Sequence, residues 1–336
     1  TTTTTSVIQL IQNEPEIKRE KHMAEKPSEE RETCGGESLY GGIGFYELPE
    51  GCIAAIISFT SPRDACRLAA VSKMFNSAAH SDAVWDRFLP SDYADIIARS
   101  DGGAELLNSL SKKDLFLRLA FRPLLIDGGT KSFSLEKSTG KKCYSIAARD
   151  LHITWGDSPR YWAWHSTPDS RFPEVAELVT VCWLEIKGKI KTSMLSPETS
   201  YAAYLIFKMA EAAYGFYSPA EVVVKTAGGK TETQKAYLDP GEGHSRSYQI
   251  IQRRIRLLSR NRTSMTMTHP ALNRGRDGKL PSMREDGWME VEIGGFLTRR
   301  EEEGEVEMSV LEVKAGNWKG GLVVEGIEIR PKVVMQ

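Results

Sequence analysis

No stretch of the 336-residue sequence stays apolar for the roughly 20 residues that a membrane-crossing helix needs. Cysteine offers no framework either. The five cysteines, Cys34, Cys52, Cys66, Cys143 and Cys182, are odd in number and scattered, and no C-x-x-C pair occurs. That spacing suggests neither a zinc knuckle nor a disulfide scaffold, so reduced thiols are the expectation. Net charge is nearly absent: 44 Lys and Arg stand against 45 Asp and Glu, leaving -1. The molecule as a whole therefore has no electrostatic bias toward nucleic acid, membrane surface or acidic substrates. No basic-then-apolar leader opens the sequence, which points to a protein that is not secreted and works in cytoplasm and nucleus.

Catalytic signatures are missing too. The six histidines (His22, His80, His152, His165, His244, His269) are dispersed. Neither G-x-S-x-G, nor H-E-x-x-H, nor a phosphate-cradling G-x-x-x-x-G-K-[ST] occurs. Paired carboxylates could serve glycoside hydrolysis, and Glu290/Glu292 and Glu305/Glu307 are such pairs. Their i, i+2 spacing, however, fits the solvent face of a strand. The expectation is a protein without catalysis, cofactor or metal.

What is present is an ordinary globular composition, 40% hydrophobic and 26% charged, on a chain long enough for two domains. Residues 1–44 mix Thr, Glu, Lys, Gly and Ser with little apolar periodicity and read as a disordered tail. Met23 is the expected native start, with residues 1–22 an upstream extension. From Leu48 to Leu119 the period is helical. Ile53, Ile56 and Ile57 form a stripe at i, i+3, i+4. Ser61-Pro62-Arg63-Asp64 supplies an N-cap, a proline at the first helical position and a carboxylate at N3. Ser81-Asp82 and Ser111-Lys112-Lys113-Asp114 mark further helix starts. A helical module this small has little core of its own, so part of its apolar surface is expected to belong to a partner.

Leu48-Pro49, the Ile53/Ile56/Ile57 stripe, the run Asp64-Ala65-Cys66-Arg67-Leu68-Ala69-Ala70-Val71-Ser72-Lys73 and Trp85 together resemble an F-box over residues 46–90. The resemblance implies docking on a Skp-type adaptor, itself held by the cullin scaffold of a RING ubiquitin ligase. It makes Leu48, Pro49, Ile53, Ile57 and Leu68 the candidate adaptor-binding residues. Packing within the module is the alternative for the apolar ones.

After Pro123 the period changes to two. Leu151, Ile153 and Trp155 alternate with His152 and Thr154; Met289, Val291 and Ile293 with Glu290 and Glu292; Val306, Met308 and Val310 with Glu305, Glu307 and Ser309. Tyr201–Phe207 is apolar on both parities, as a strand covered on both faces would be. Gly228-Gly229 marks a hairpin. Many short strands between Gly- and Pro-rich turns predict a jelly-roll-like β-sandwich. Residues 246–284 interrupt it with a stretch rich in Arg and Lys, with a short helix expected at 247–258. Such a stretch could meet phosphate or RNA, but a solvated loop is the favoured reading and nucleic acid is not the expected partner. The expected organisation is a tail over 1–44, a helical module with linker helices over 45–122 and an all-β domain over 123–336.

The β-rich part is similar to the phloem protein 2, or Nictaba-like, lectins of plants. The resemblance covers residues 146–331. Ala147–Trp155, Tyr161-Trp162-Ala163-Trp164, Glu174–Leu178, Asp286-Gly287-Trp288-Met289-Glu290, Gly304–Met308 and the tail from Trp318 to Pro331 carry it. It implies that Trp155 and Trp162 stack on or flank an N-acetylglucosamine-type glycan, with Glu305 and Glu312 accepting hydroxyl hydrogen bonds. A glycoprotein or peptide client follows from that. Trp164, Trp183, Trp288 and Trp318 are assigned to packing. One tension is geometric: Glu305 and Glu312 are seven apart, so a regular pleat points them to opposite faces, and a shared site would need a bulge. The two resemblances together imply the substrate-recognition subunit of a ubiquitin ligase. A stand-alone carbohydrate-binding stress protein is the alternative.

Overall fold

The computed structural model of the chain describes residues 48–239, 277–300 and 303–332. The tail expected over 1–44, the basic residues 246–276 and the helix expected at 247–258 lie outside them. The chain divides into two compact units between Phe88 and Leu89.

The first unit holds four short helices: α1 (Glu50–Ser58), α2 (Pro62–Leu68), α3 (Lys73–His80) and α4 (Asp82–Phe88). Their starts follow from local chemistry. The Ser61 hydroxyl accepts the Asp64 N–H at 3.2 Å and donates to the Asp64 carboxylate at 2.7 Å, with Pro62 at the first helical position. Ser72 caps α3 in the same way through the Phe75 N–H at 3.3 Å. Each such cap contributes about 1 kcal/mol. The core is built on Ile53, Ile57, Leu68, Phe75, Val84 and Trp85. The Trp85 indole N–H is satisfied by the Ala79 carbonyl at 2.7 Å, as a buried indole requires.

The second unit begins with α5 (Tyr93–Ala98), α6 (Gly103–Ser109) and α7 (Lys112–Phe121). Sequence periodicity grouped these helices with the helical module as linkers; their contacts assign them to the β-rich unit instead. Arg99 at the end of α5 forms a two-pronged pair with Asp127 at 2.8 and 2.6 Å. Asp92 pairs with Lys142 at 2.7 Å. Periodicity locates a helix but does not say what its apolar face packs against.

Fourteen strands follow among the described residues: β1 (Leu124–Ile126), β2 (Lys131–Leu135), β3 (Lys142–Ala147), β4 (His152–Ile153), β5 (Trp162–His165), β6 (Val175–Leu178), β7 (Leu184–Lys191), β8 (Thr199–Tyr214), β9 (Ala220–Lys225), β10 (Thr231–Ala236), β11 (Ser282–Met283), β12 (Met289–Thr298), β13 (Glu305–Glu312) and β14 (Gly320–Pro331). They form two sheets. One is nine-stranded, in the order β1-β2-β3-β14-β8-β12-β11 with β6 and β5 attached beside β14; the other is β10-β9-β13-β7-β4. β8 lies between β14 and β12, which is why Tyr201–Phe207 reads apolar on both parities. The sheets pack face to face. At Gly188 of β7 they approach so closely that a Cβ would sit 3.0 Å from Ile327 of β14. Ile186, Val222, Met308 and Val310 from one sheet meet Leu205, Val291, Ile327 and Ile329 from the other in the dry interior. This is a sandwich of two sheets, not a barrel.

Candidate functional site

In the helical unit the apolar stripe of α1 splits between two faces. Ile53 and Ile57 are 0% exposed and Leu68 is 3% exposed, so these three candidate adaptor contacts are core. A side chain with no accessible surface offers no area to a partner. The outward face is read at 49, 52, 56 and 59: Pro49 and Cys52 are exposed, Ile56 is partly so, and Phe59 is 72% exposed with the Arg87 guanidinium 4.3 Å above its ring. Leu48 is partly exposed at the head of this row. The spacing i, i+3, i+7, i+10 is one helical stripe, offset by one residue from the buried one.

In the sandwich, alternation places Trp155 in the buried phase of Leu151 and Ile153, and the structure overturns this. β4 stops at Ile153, and Trp155 takes a left-handed φ of 60°, which swings its indole outward to 46% exposure. Such a backbone costs a bulky residue of the order of 1–3 kcal/mol unless its surroundings enforce it. Two other indoles do so. Trp162 Nε1 donates to the Thr154 carbonyl at 3.2 Å, and Trp164 Nε1 to the Gly156 carbonyl at 2.8 Å, clamping the peptide groups on either side. The Ser158 N–H donates to the Trp155 carbonyl at 2.9 Å. The Tyr161 ring supports the indole from 5.1 Å at an angle of 35°. Beside Trp155 opens a cleft of about 570 Å³ lined by Arg149, His152, Asp157, Ser158 and Trp164. The Arg149 guanidinium lies 3.7 Å over the Trp164 ring.

Trp162 itself is 2% exposed, so it cannot stack on a ligand in this conformation; it holds the residue that can. Trp162→Phe is expected to keep the packing, lose the hydrogen bond and cost about 1 kcal/mol by urea denaturation, while weakening whatever ligand Trp155 binds.

The two glutamates expected beside these tryptophans do not reach them. β13 pairs with β7 in unbroken register from Glu305↔Lys191 to Glu312↔Leu184, with no bulge. The pleat therefore sends them to opposite faces. Glu312, 5% exposed, lies in the interior and is ion-paired with Lys319, which is wholly buried and also donates to the carbonyls of Asn317 (2.8 Å) and Cys182 (3.3 Å). Glu305 is exposed, but Trp155 lies level with Glu185 and Leu311: the Thr154 N–H bonds the Glu185 carbonyl at 3.0 Å, and Leu311 pairs with Glu185. Glu305 is six residues further along β13, roughly 20 Å away at ~3.4 Å per residue. It lines another groove, of about 810 Å³, with Lys189, Lys191 and Met194, which shares only His152 with the Trp155 cleft.

Sequence reasoning missed two residues. Trp183, assigned to packing, is 44% exposed; Trp318 is exposed as well, whereas Trp288 is buried and Trp164 half-buried. The Trp183 indole N–H donates to Glu185 Oε2 at 3.1 Å, the Thr154 hydroxyl to the same oxygen at 3.0 Å, and Lys187 reaches Oε1 at 2.5 Å. The signal was available: Leu184 and Ile186 occupy the buried phase of β7, so 183 and 185 share the outward one. The Lys187 ammonium, and after it the Trp183 indole, hold the Glu185 carboxyl down at about 2 from its ordinary 4.5. A carboxyl depressed on folding contributes stability that is complete above the ordinary value and lost as pH falls toward the folded one. The stability difference between wild type and Glu185→Gln is therefore expected to be constant above about pH 5 and to fade between about pH 4.5 and 2, measured by urea midpoints.

Three of the four carboxylates in these pairs are engaged by cations. Burial alone would raise the Glu290 carboxyl, but Arg330 and Arg284 outweigh it and leave it lowered. Glu292 is paired with Lys332 at 2.9 Å. Glu307 pairs with Lys189 at 3.3 Å. Among the described residues no group of His, Cys, Asp and Glu could hold a metal ion, and no helix is long and apolar enough to cross a membrane.

The profile of the phloem protein 2 family matches residues 141–331, and an F-box-like profile matches residues 45–91. The chain belongs to the phloem protein 2 family. Its similarity to relatives from Arabidopsis thaliana runs through both units. The putative F-box protein PP2-B12 is 46% identical over 295 residues, covering 87% of this chain and 100% of that protein. F-box protein PP2-B1 is 42% identical over 308 residues, 86% and 90% of the two chains. F-box protein PP2-B15 is 42% identical over 289 residues, 85% and 96%. The Trp155 turn and Glu185 thus lie within the phloem protein 2 domain, and the α1 stripe within the F-box-like segment. An F-box joined to a phloem protein 2 domain is the architecture of a substrate adaptor, and F-box proteins are in general non-catalytic.

Proposed function

We propose that this protein is the substrate-recognition subunit of a cullin–RING ubiquitin ligase of the SCF type. Its helical unit docks on a Skp-type adaptor and its sandwich holds a glycoprotein client through an N-acetylglucosamine-type glycan. The observation that carries the reading is the pairing of two outward aromatic features. The Pro49/Cys52/Ile56/Phe59 stripe lies on the F-box-like segment, and the Trp155 indole is forced outward on the phloem protein 2 domain. An exposed indole is a flat apolar platform for the C–H face of a pyranose, and the hydroxyl, carboxylate and guanidinium groups around the cleft can meet sugar hydroxyls. Catalysis belongs to the partner; this chain raises the local concentration of the client. The site of action is the cytoplasm and nucleus, where adaptor and client would meet.

Two measurements test this. Co-precipitation of the full chain is expected to recover adaptor and cullin together; recovery of neither leaves a stand-alone lectin. On a glycan array, binding to N-acetylglucosamine oligomers is expected to disappear in Trp155→Ala. That variant also removes a strained bulky residue, so its thermal stability is expected to stay within about 1 kcal/mol of wild type.

A further inference from the structure

We propose that Trp183 and Glu185, two residues apart at the start of β7, complete the glycan site: Trp183 as a second aromatic face and Glu185 as the acceptor for a sugar hydroxyl. The inference rests on the glycan reading of Trp155 and goes beyond it by assigning the polar contact and the charge class of the ligand. Thr154, the residue before Trp155, bonds Glu185 through both its backbone N–H (3.0 Å) and its hydroxyl (3.0 Å), so the carboxylate is fixed beside the Trp155 turn. The Trp183 indole is oriented by its own bond to the same carboxylate at 3.1 Å, leaving the ring face 44% exposed. An ionised carboxylate offers about four acceptor positions. Trp183, Thr154 and Lys187 occupy three, and one remains for a ligand.

Charge then selects the ligand class. Glu185 and Lys187 neutralise each other at 2.5 Å, so the spot carries a strong hydrogen-bonding dipole without net charge. Such a site fits a neutral polyhydroxyl compound better than an acidic or basic peptide. Charge-assisted hydrogen bonds of this kind are roughly twice as strong as neutral ones.

The test titrates the full-length chain with the N-acetylglucosamine trimer, following intrinsic fluorescence and calorimetry. Glu185→Gln keeps the shape and an oxygen for Trp183 and Thr154 but loses the charge; Trp183→Phe keeps a ring but loses the N–H; Trp183→Ala removes both. A loss of about tenfold or more in Glu185→Gln and Trp183→Ala, with a smaller loss in Trp183→Phe, is the expected result. Glu185→Gln should also remove the carboxylate nearest to Lys187 and shift preference toward a sulfated form of the trimer, an effect that mere loosening of the fold would not produce. The inference is overturned if Trp155→Ala loses the trimer while Glu185→Gln and Trp183→Ala bind like wild type, or if Glu305→Gln is the variant that weakens binding. Absence of binding by the wild-type chain removes the glycan reading itself, and this assignment with it.

Discussion

Lys319→Met is expected to destabilise the second unit by about 3–5 kcal/mol, a large share of what a domain of this size has. Lys319 has no solvent access and bonds Glu312 and two backbone carbonyls. Removing the ammonium strands a 5% exposed carboxylate on the inward face of β13, in phase with Val310, without its counter-charge. Replacing both partners tells the remainder. Lys319→Met with Glu312→Leu swaps an ion pair for apolar bulk and is expected to cost far less than either single change, because a buried pair often does no better than hydrophobic packing of the same volume. Urea unfolding of the two single variants and the double variant gives the coupling directly. Equal losses in all three would show that the carbonyl contacts of Lys319, not its charge, hold this end of the sandwich.

The second large effect separates face from core in α1. Ile56→Asp combined with Phe59→Asp is expected to eliminate adaptor capture while leaving helical circular dichroism unchanged, since both side chains already meet water. Central apolar anchors of an interface are commonly worth about 2 kcal/mol or more each. Their joint loss should lower affinity by at least a few hundredfold. Ile53→Ala and Ile57→Ala should behave in the opposite way. Truncation of a fully enclosed aliphatic side chain costs about 2–5 kcal/mol, which a module this small cannot absorb, so adaptor binding would vanish through unfolding. Capture that survives the aspartate pair but not a change at Leu48 or Pro49 would move the docking face to the head of the helix.

The same contrast explains how far the sequence could be read. Ser61, Pro62 and Asp64 announce a helix start through their own hydrogen bonds, and α2 begins there. Alternation announces β12 and β13, whose Met289, Val291, Ile293, Val306, Met308 and Val310 are buried as expected. Local chemistry is legible because its partners lie within a few residues. Three things were not. The stripe Ile53/Ile56/Ile57 is wider than the face that α1 buries, so periodicity could not say which isoleucine looks outward. Trp155 stands in the buried phase of its strand, and only a single left-handed φ, enforced by bonds from Trp162 and Trp164, reverses it. Glu312 has a partner seven residues on, across a loop, and nothing in its own strand signals that Lys319 will be buried with it. Parity did foretell that Glu305 and Glu312 face apart, and it also marked Trp183 and Glu185 as outward once Leu184 and Ile186 were placed inside.

Seven tryptophans are distributed unevenly between water and interior: Trp155, Trp183 and Trp318 are wet, while Trp85, Trp162 and Trp288 are dry. The protein therefore carries its own dye set. Iodide should quench the red-shifted fraction of the emission and spare the blue one, and a ligand seated against Trp155 and Trp183 should protect only their share of the red-shifted fraction, leaving Trp318 as an internal standard. Occupancy could be followed in this way on unlabelled protein.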